Sequence, residues 1–164
     1  YVITGAPSSG KTTILSSLDQ DGFQVINDLA RDIISQNRKS SDQERQEKIL
    51  QHCKRVYAEL DPSKQLIFEY GMPDNLVYQQ LKEITLEETA ELIAKYRYRK
   101  IILLEPLEFE KDGIRHEYIT YQQTIHKKIY EKYCALRYQP IVIPKLGRQE
   151  RLNLVKQHLS DYGI

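Results

Sequence analysis

Five short apolar runs recur along the chain, and between them apolar residues return every third or fourth position. The runs are "YVIT" (Tyr1 to Thr4), "FQVIN" (Phe23 to Asn27), "QLIFEYG" with its strand ending at Glu69, "KIILLEP" halted by Pro106, and "QPIVIPK" (Gln139 to Lys145). Their β-branched and aromatic content predicts five short buried strands. The intervening segments read as helices. One follows "GKTTILSSL"; another, "LARDII", has Asp28 as its candidate N-cap. Ile49, Cys53, Val56 and Leu60 mark one face of a long amphipathic helix, and "DNLVYQQL" and "LEETAELIAKY" give two more. Tyr118, Tyr121, Ile125, Ile129, Tyr133 and Leu136 form the stripe of a further helix, and "RQERLNLVKQHL" predicts the last. Short apolar strands alternating with helices define an α/β domain with a five-stranded parallel sheet covered on both faces, here expected as one unit over 1–164.

The stretch between the first strand and the first helix gives this architecture a chemistry. "GAPSSGKT" (Gly5, Ala6, Pro7, Ser8, Ser9, Gly10, Lys11, Thr12) fits G-x-x-x-x-G-K-[ST], with Thr13 following. In that pattern backbone N–H groups wrap phosphates, the lysine reaches the β- and γ-oxygens and the hydroxyl ligates Mg²⁺. A helix N-terminus right after the loop adds unpaired N–H groups and a positive dipole end. The expected fold is therefore a three-layer P-loop domain that binds a nucleotide.

Composition narrows the class. The 164 residues carry 24 basic and 23 acidic side chains, mixed along the chain for a net charge of +1, so no nucleic-acid footprint is expected. No apolar run approaches the roughly 18–20 residues of a membrane span, and no charged-then-apolar leader precedes the first strand. A cytoplasmic protein is the expectation. The chain opens on Tyr1 inside a predicted strand rather than on Met, which implies a few residues before it. Cys53 and Cys134 have no metal-ligand spacing and read as buried free thiols, and the four histidines show no such spacing either.

In sheets of this kind ligands bind beyond the carboxyl ends of the strands, which singles out the loop at Gly5, Asn27–Asp28, Glu69–Tyr70, Glu105 and Lys145. Lys11 is the phosphate-neutralising candidate and Thr12 the Mg²⁺ ligand. Glu69 ends an apolar strand and is the second candidate for Mg²⁺; Glu105 competes on identical local grounds, with strand order to separate them. Asp28 either orients an acceptor hydroxyl or caps its helix, and Arg31 either pairs with Asp28 or clamps an anionic substrate. "EPLEFEKDGIRHEY" (Glu105 to Tyr118), with Lys111, Arg115 and His116, is the candidate short lid.

Beyond these readings, "ITGAPSSGKTTILSSL", "VINDLARDII", "FEYGMPDNLVY" and "LLEPLEFEKDGIR" together resemble the P-loop AAA-like ATPase/kinase domains related to the nicotinamide riboside kinase domain of bacterial NAD-metabolism regulators. The resemblance covers nearly the whole chain. It implies roles for Asp28 and Arg31 after the second strand, for Glu69 as the third-strand acid, for Asp74 on the substrate side and for Arg115 as the lid arginine. One departure stands out: where such domains have arginine after the strand acid, this chain has Tyr70. The resemblance implies a Mg²⁺-dependent, ATP-using kinase or ATPase with a small-molecule, nucleoside-type acceptor. ATP is expected because no N-K-x-D guanine-reading segment is present. The alternative is a nucleotide-dependent switch that binds a partner protein or an anionic lipid.

Overall fold

Strand β1 (Val2–Thr4) lies at the centre of a five-stranded sheet, flanked by β3 (Ile67–Glu69) and β4 (Ile101–Leu104), with β2 (Val25–Ile26) outside β3 and β5 (Ile141–Ile143) outside β4. Every pairing is parallel. The computed structural model describes residues 1–107 and 115–163, with 115–117 described by their backbone alone. The lid expected over Glu105 to Tyr118, including Lys111 and the side chains of Arg115 and His116, thus lies largely outside the described residues.

Among the described residues the helices are α1 (Lys11–Gln20), α2 (Arg31–Gln36), α3 (Asp42–Ala58), α4 (Met72–Leu81), α5 (Glu87–Lys95), α6 (Arg115–Ala135) and α7 (Arg148–His158). Successive strand residues point to opposite faces, and the two cores follow that alternation. Val2, Phe68, Ile101 and Leu103 pack with residues of α3 to α6, whereas Ile3, Ile67, Ile102, Leu104 and Ile143 pack with those of α1 and α7. This is the three-layer P-loop fold the apolar runs predict, built on continuous apolar strands because both faces of the sheet are covered.

Helix starts follow local chemistry. Helix α3 opens on a reciprocal box in which Ser41 Oγ accepts the Glu44 N–H and a Glu44 carboxylate oxygen accepts the Ser41 N–H. Helix α2 begins later than expected: Ala30 occupies its N-cap, and Asp28 instead accepts the Ala30 N–H through Oδ1 at 2.9 Å. Because the helix starts only at Arg31, this bond closes a turn before the helix and does not cap it.

Two further expectations are corrected. Cys53 is buried, but Cys134 is exposed on α6. Ile125, Ile129 and Tyr133 are fully buried, yet Tyr118 and Tyr121 at the head of the same stripe are 42% and 46% exposed. Helix α6 therefore projects past the core at its N-terminal end, over the carboxyl ends of the strands.

Candidate active site

The phosphate loop starts where β1 stops, and its first glycine is required by packing. A Cβ on Gly5 would meet Ser9 Oγ at 2.6 Å and the Leu104 carbonyl at 2.7 Å. Five consecutive loop carbonyls then find donors, the last three of them from outside the loop. Gly5 O and Ala6 O accept from Lys11 Nζ at 2.8 and 2.9 Å, and Pro7 O accepts from Gln122 Nε2 at 2.7 Å. Ser8 O accepts from the Leu107 N–H at 3.2 Å and Ser9 O from Arg151 Nη1 at 2.7 Å. In a trans peptide the next N–H points the opposite way, so the N–H groups of Ser8, Ser9 and Gly10 line the inner side of the loop. Gly10 turns the chain into α1 with φ of 81°, a left-handed conformation for which glycine is suited. A concave row of N–H groups at a helix N-terminus is an anion cradle.

Lys11 is 6% exposed and also donates to Ser9 Oγ at 3.2 Å. Burial pulls its ammonium down to about 8, opposed by the carboxylates of Glu69, Asp74 and Asp28. Its Nζ lies 4.8 Å from the centre of the Tyr70 ring, a cation–π distance. Tyr70 itself has φ of 66°, uncommon for a bulky residue. Thus a phenol, not a guanidinium, stands beside the phosphate-loop lysine. Thr12 and Thr13 are exposed on the first turn of α1.

Strand order does not separate Glu69 from Glu105, because β3 and β4 both flank β1. Side-chain packing does. Glu69 Oε1 accepts from Arg31 Nη2 at 3.0 Å and Oε2 accepts the Asp28 N–H at 3.1 Å, and its charge acts on Lys11. Glu105 Oε2 instead accepts the Lys145 N–H at 3.0 Å, on the β5 side. Arg31 pairs with Glu69, not with Asp28; its side chain is 53% exposed while that of Glu69 is 2% exposed. Asp28 is half-buried between them. The structure therefore brings Lys11, Asp28, Arg31 and Glu69 to one side of the loop. Hydroxyl and carboxylate oxygens from Thr12, Asp28 and Glu69 are hard donors of the kind Mg²⁺ takes, so the residues present fit that ion.

Asp74 is placed differently. It is 1% exposed, and its carboxylate accepts from Thr4 Oγ1 at 2.6 Å, Tyr133 Oη at 2.6 Å and the Gly71 N–H at 2.8 Å. Burial raises its carboxyl above the ordinary value, with these donors opposing. Asp74 thereby ties the end of β1, the β3–α4 turn and α6 together beneath the site. Asp74→Ala should lower unfolding stability by about 3 kcal/mol, since buried donors left unpaired cost roughly 1–3 kcal/mol each. Asp74→Asn, which keeps an acceptor oxygen, should lose less. Denaturant titration checks this; an alanine variant as stable as the wild type would remove Asp74 from the framework and return it to the substrate side.

Three contacts on the loop come from residues that the motif does not name: Gln122, Tyr118, whose hydroxyl lies 2.8 Å from Ser8 Oγ, and Arg151. Arg151 has a sequence signal. It precedes Val155 by four and Leu159 by eight residues, on the buried stripe of α7, where a surface arginine does not belong.

A Gly-rich loop between a central strand and a helix, in a parallel sheet of order β2-β3-β1-β4-β5, defines a P-loop nucleotide-binding fold. More particularly, the chain belongs to the AAA domain family, whose model matches residues 1–151. Among solved structures it is similar to deoxyadenosine kinase from M. mycoides with bound dATP, with a TM-score of 0.64 and 15% identity over 97% of this chain and 98% of that one. The same kinase with bound dCTP gives a TM-score of 0.63 at 15% identity, covering 98% of both chains. At that identity the likeness is one of fold. No curated protein matches the chain. Among the described residues, no helix is long and apolar enough to cross a membrane.

Proposed function

We propose that the protein is a Mg²⁺-dependent phosphotransferase that moves the γ-phosphoryl group of ATP to a hydroxyl of a nucleoside-type small molecule. The observation that carries this reading is the convergence of Lys11, Asp28 and Glu69 at one end of a loop whose N–H groups face inward. The fold shared with a deoxyadenosine kinase supports a nucleoside-type acceptor, and the resemblance around "VINDLARDII" favours nicotinamide riboside as a member of the panel to try.

In this reading the loop N–H groups and Lys11 hold the phosphates, and Thr12 and Glu69 hold Mg²⁺, which supplies neutralisation of phosphate oxygens. Asp28 accepts the proton of the acceptor hydroxyl as its oxygen bonds the γ-phosphorus and ADP leaves with the electrons of the broken P–O bond. Arg31 orients the acceptor, and Arg115 adds positive charge to the phosphoryl group in transfer.

A second reading, a slowly hydrolysing switch read by a partner protein or an anionic lipid, is favoured by Tyr70. A neutral phenol does not stabilise developing phosphoryl charge as a guanidinium would. ADP release from Mg²⁺–ATP, measured with and without a nucleoside panel and with Lys11→Ala as blank, separates them. One acceptor should stimulate release at least about tenfold above the basal rate, as expected when a bound acceptor replaces water. Nucleotide binding without stimulation by any acceptor would sink the kinase reading and leave the switch.

A further inference from the structure

Behind the phosphate loop lies a buried cation that, among the described residues, has no carboxylate in contact with it, although the charge of Glu105 acts on it. Arg151 is 2% exposed, its Nη1 donates to Ser9 O at 2.7 Å, its Nη2 donates to Glu105 O at 2.9 Å, and its buried Nε has no partner. Among the described residues no acidic side chain forms an ion pair with it. Burying a charge without an opposite one is costly, and proteins rarely retain such a group without a counter-charge. The guanidinium is also packed against the end of the loop, since a Cβ on Gly10 would meet Nη1 at 3.2 Å.

Two consequences follow from this placement. Ser9 O and the Gly10 N–H belong to one peptide plane and point in opposite directions. The bond that draws Ser9 O toward Arg151 thus turns the Gly10 N–H toward the inner side of the loop. The same bond holds a permanent positive charge one peptide away from where a polyphosphate would rest, in a water-poor setting where charge acts strongly.

We infer that Arg151 is a positioning residue for phosphate binding: it fixes the Ser9–Gly10 peptide and supplies a built-in positive charge whose counter-ion is the polyphosphate of the bound nucleotide. The inference rests on the phosphate-loop reading and adds to it a residue outside the loop motif, since Arg151 lies 142 positions from Ser9 in the chain.

The test is calorimetric titration of the full chain with Mg²⁺–ATP and with Mg²⁺–tripolyphosphate, using wild type, Arg151→Met, Arg151→Lys and Arg151→Gln. Arg151→Met should raise Kd for both ligands by the same factor, about tenfold or more, because the lost interaction is with phosphate and not with the base. Arg151→Lys, which keeps the charge and a donor for Ser9 O, should recover most of the loss, whereas Arg151→Gln, which can donate to Ser9 O without a charge, should not. Equal Kd for wild type and Arg151→Met, or a loss that lysine leaves untouched or that glutamine recovers as well, overturns the inference while the phosphate loop stands. If the wild type binds neither ligand, the phosphate-loop reading fails and this one with it. Should Arg151→Met not fold, the wild-type protein still decides: the Nε–H resonance of Arg151 should shift on saturation with Mg²⁺–tripolyphosphate, and an unmoved resonance overturns the proposal.

Discussion

Lys11→Ala is expected to abolish the rise in Tm that Mg²⁺–ATP gives the wild-type protein. A ligand at a hundred times its Kd stabilises the native state by about 2.7 kcal/mol. For a domain of this size that corresponds to a Tm rise of roughly 5–10 °C. Removing the ammonium takes away the one side-chain cation that the loop motif aims at the β- and γ-phosphates, and a hundredfold weaker Kd cuts the stabilisation to about 0.4 kcal/mol, with a larger loss erasing it. The nucleotide-free protein should suffer less. Lys11 is buried at a cost, as its lowered ammonium value shows, so the lost bonds to Gly5 O and Ala6 O are offset by the relief of desolvation. The informative outcome is thus a small change without ligand and a vanished change with it, read by thermal unfolding at matched Mg²⁺. A shift that survives unchanged in Lys11→Ala would mean that "GAPSSGKT" is a turn between strand and helix and not a phosphate cradle.

The loop was legible in the chain because each of its demands is local. The strand "YVIT", the six-residue turn and the helix that follows are consecutive, and the motif needs no distant partner to be recognised. The five strands were legible for a related reason: in a sheet covered on both faces, strands are apolar on both sides apart from Thr4 and Glu69 at their carboxyl ends, and such runs stand out. What stayed hidden depends on pairs far apart in sequence. Glu69 and Glu105 end similar runs on either side of β1, and only their partners, Arg31 and the Asp28 N–H for one and the Lys145 N–H for the other, separate them.

Asp74 shows another kind of contact that local reading does not reach. Its position after a Gly-x-Pro turn placed it on the substrate side by resemblance, whereas its three donors come from β1, its own turn and α6, elements that meet only in the folded core. A carboxylate that gathers donors from three elements is held for the framework it joins. Tyr118 and Tyr121 share a helical stripe with core residues, yet helix α6 outruns the core, and periodicity alone carries no information on where a core ends.

Asp28→Asn should remove most phosphoryl transfer, by about 10²- to 10⁴-fold in kcat as for loss of a general base, while leaving the Kd of Mg²⁺–ATP within about twofold, since the bulk of nucleotide binding comes from the loop. The local structure makes this substitution unusually clean. Asp28 Oδ1 accepts the Ala30 N–H at 2.9 Å, and the Asp28 backbone N–H donates to Glu69 Oε2 at 3.1 Å. Asparagine has the same shape, keeps a carbonyl oxygen for Ala30 and leaves the backbone donor in place, so the approach to α2 and the Glu69–Arg31 pair are preserved. What disappears is the negative charge and the ability to take a proton. Steady-state kcat with the acceptor found active, set beside calorimetric Kd for nucleotide, reads the two effects separately. Transfer retained in Asp28→Asn would confine Asp28 to the turn before α2, and equal losses in kcat and nucleotide affinity would make its charge part of the nucleotide site; the expected split, a large fall in kcat at constant Kd, is the result that a role on the acceptor side produces.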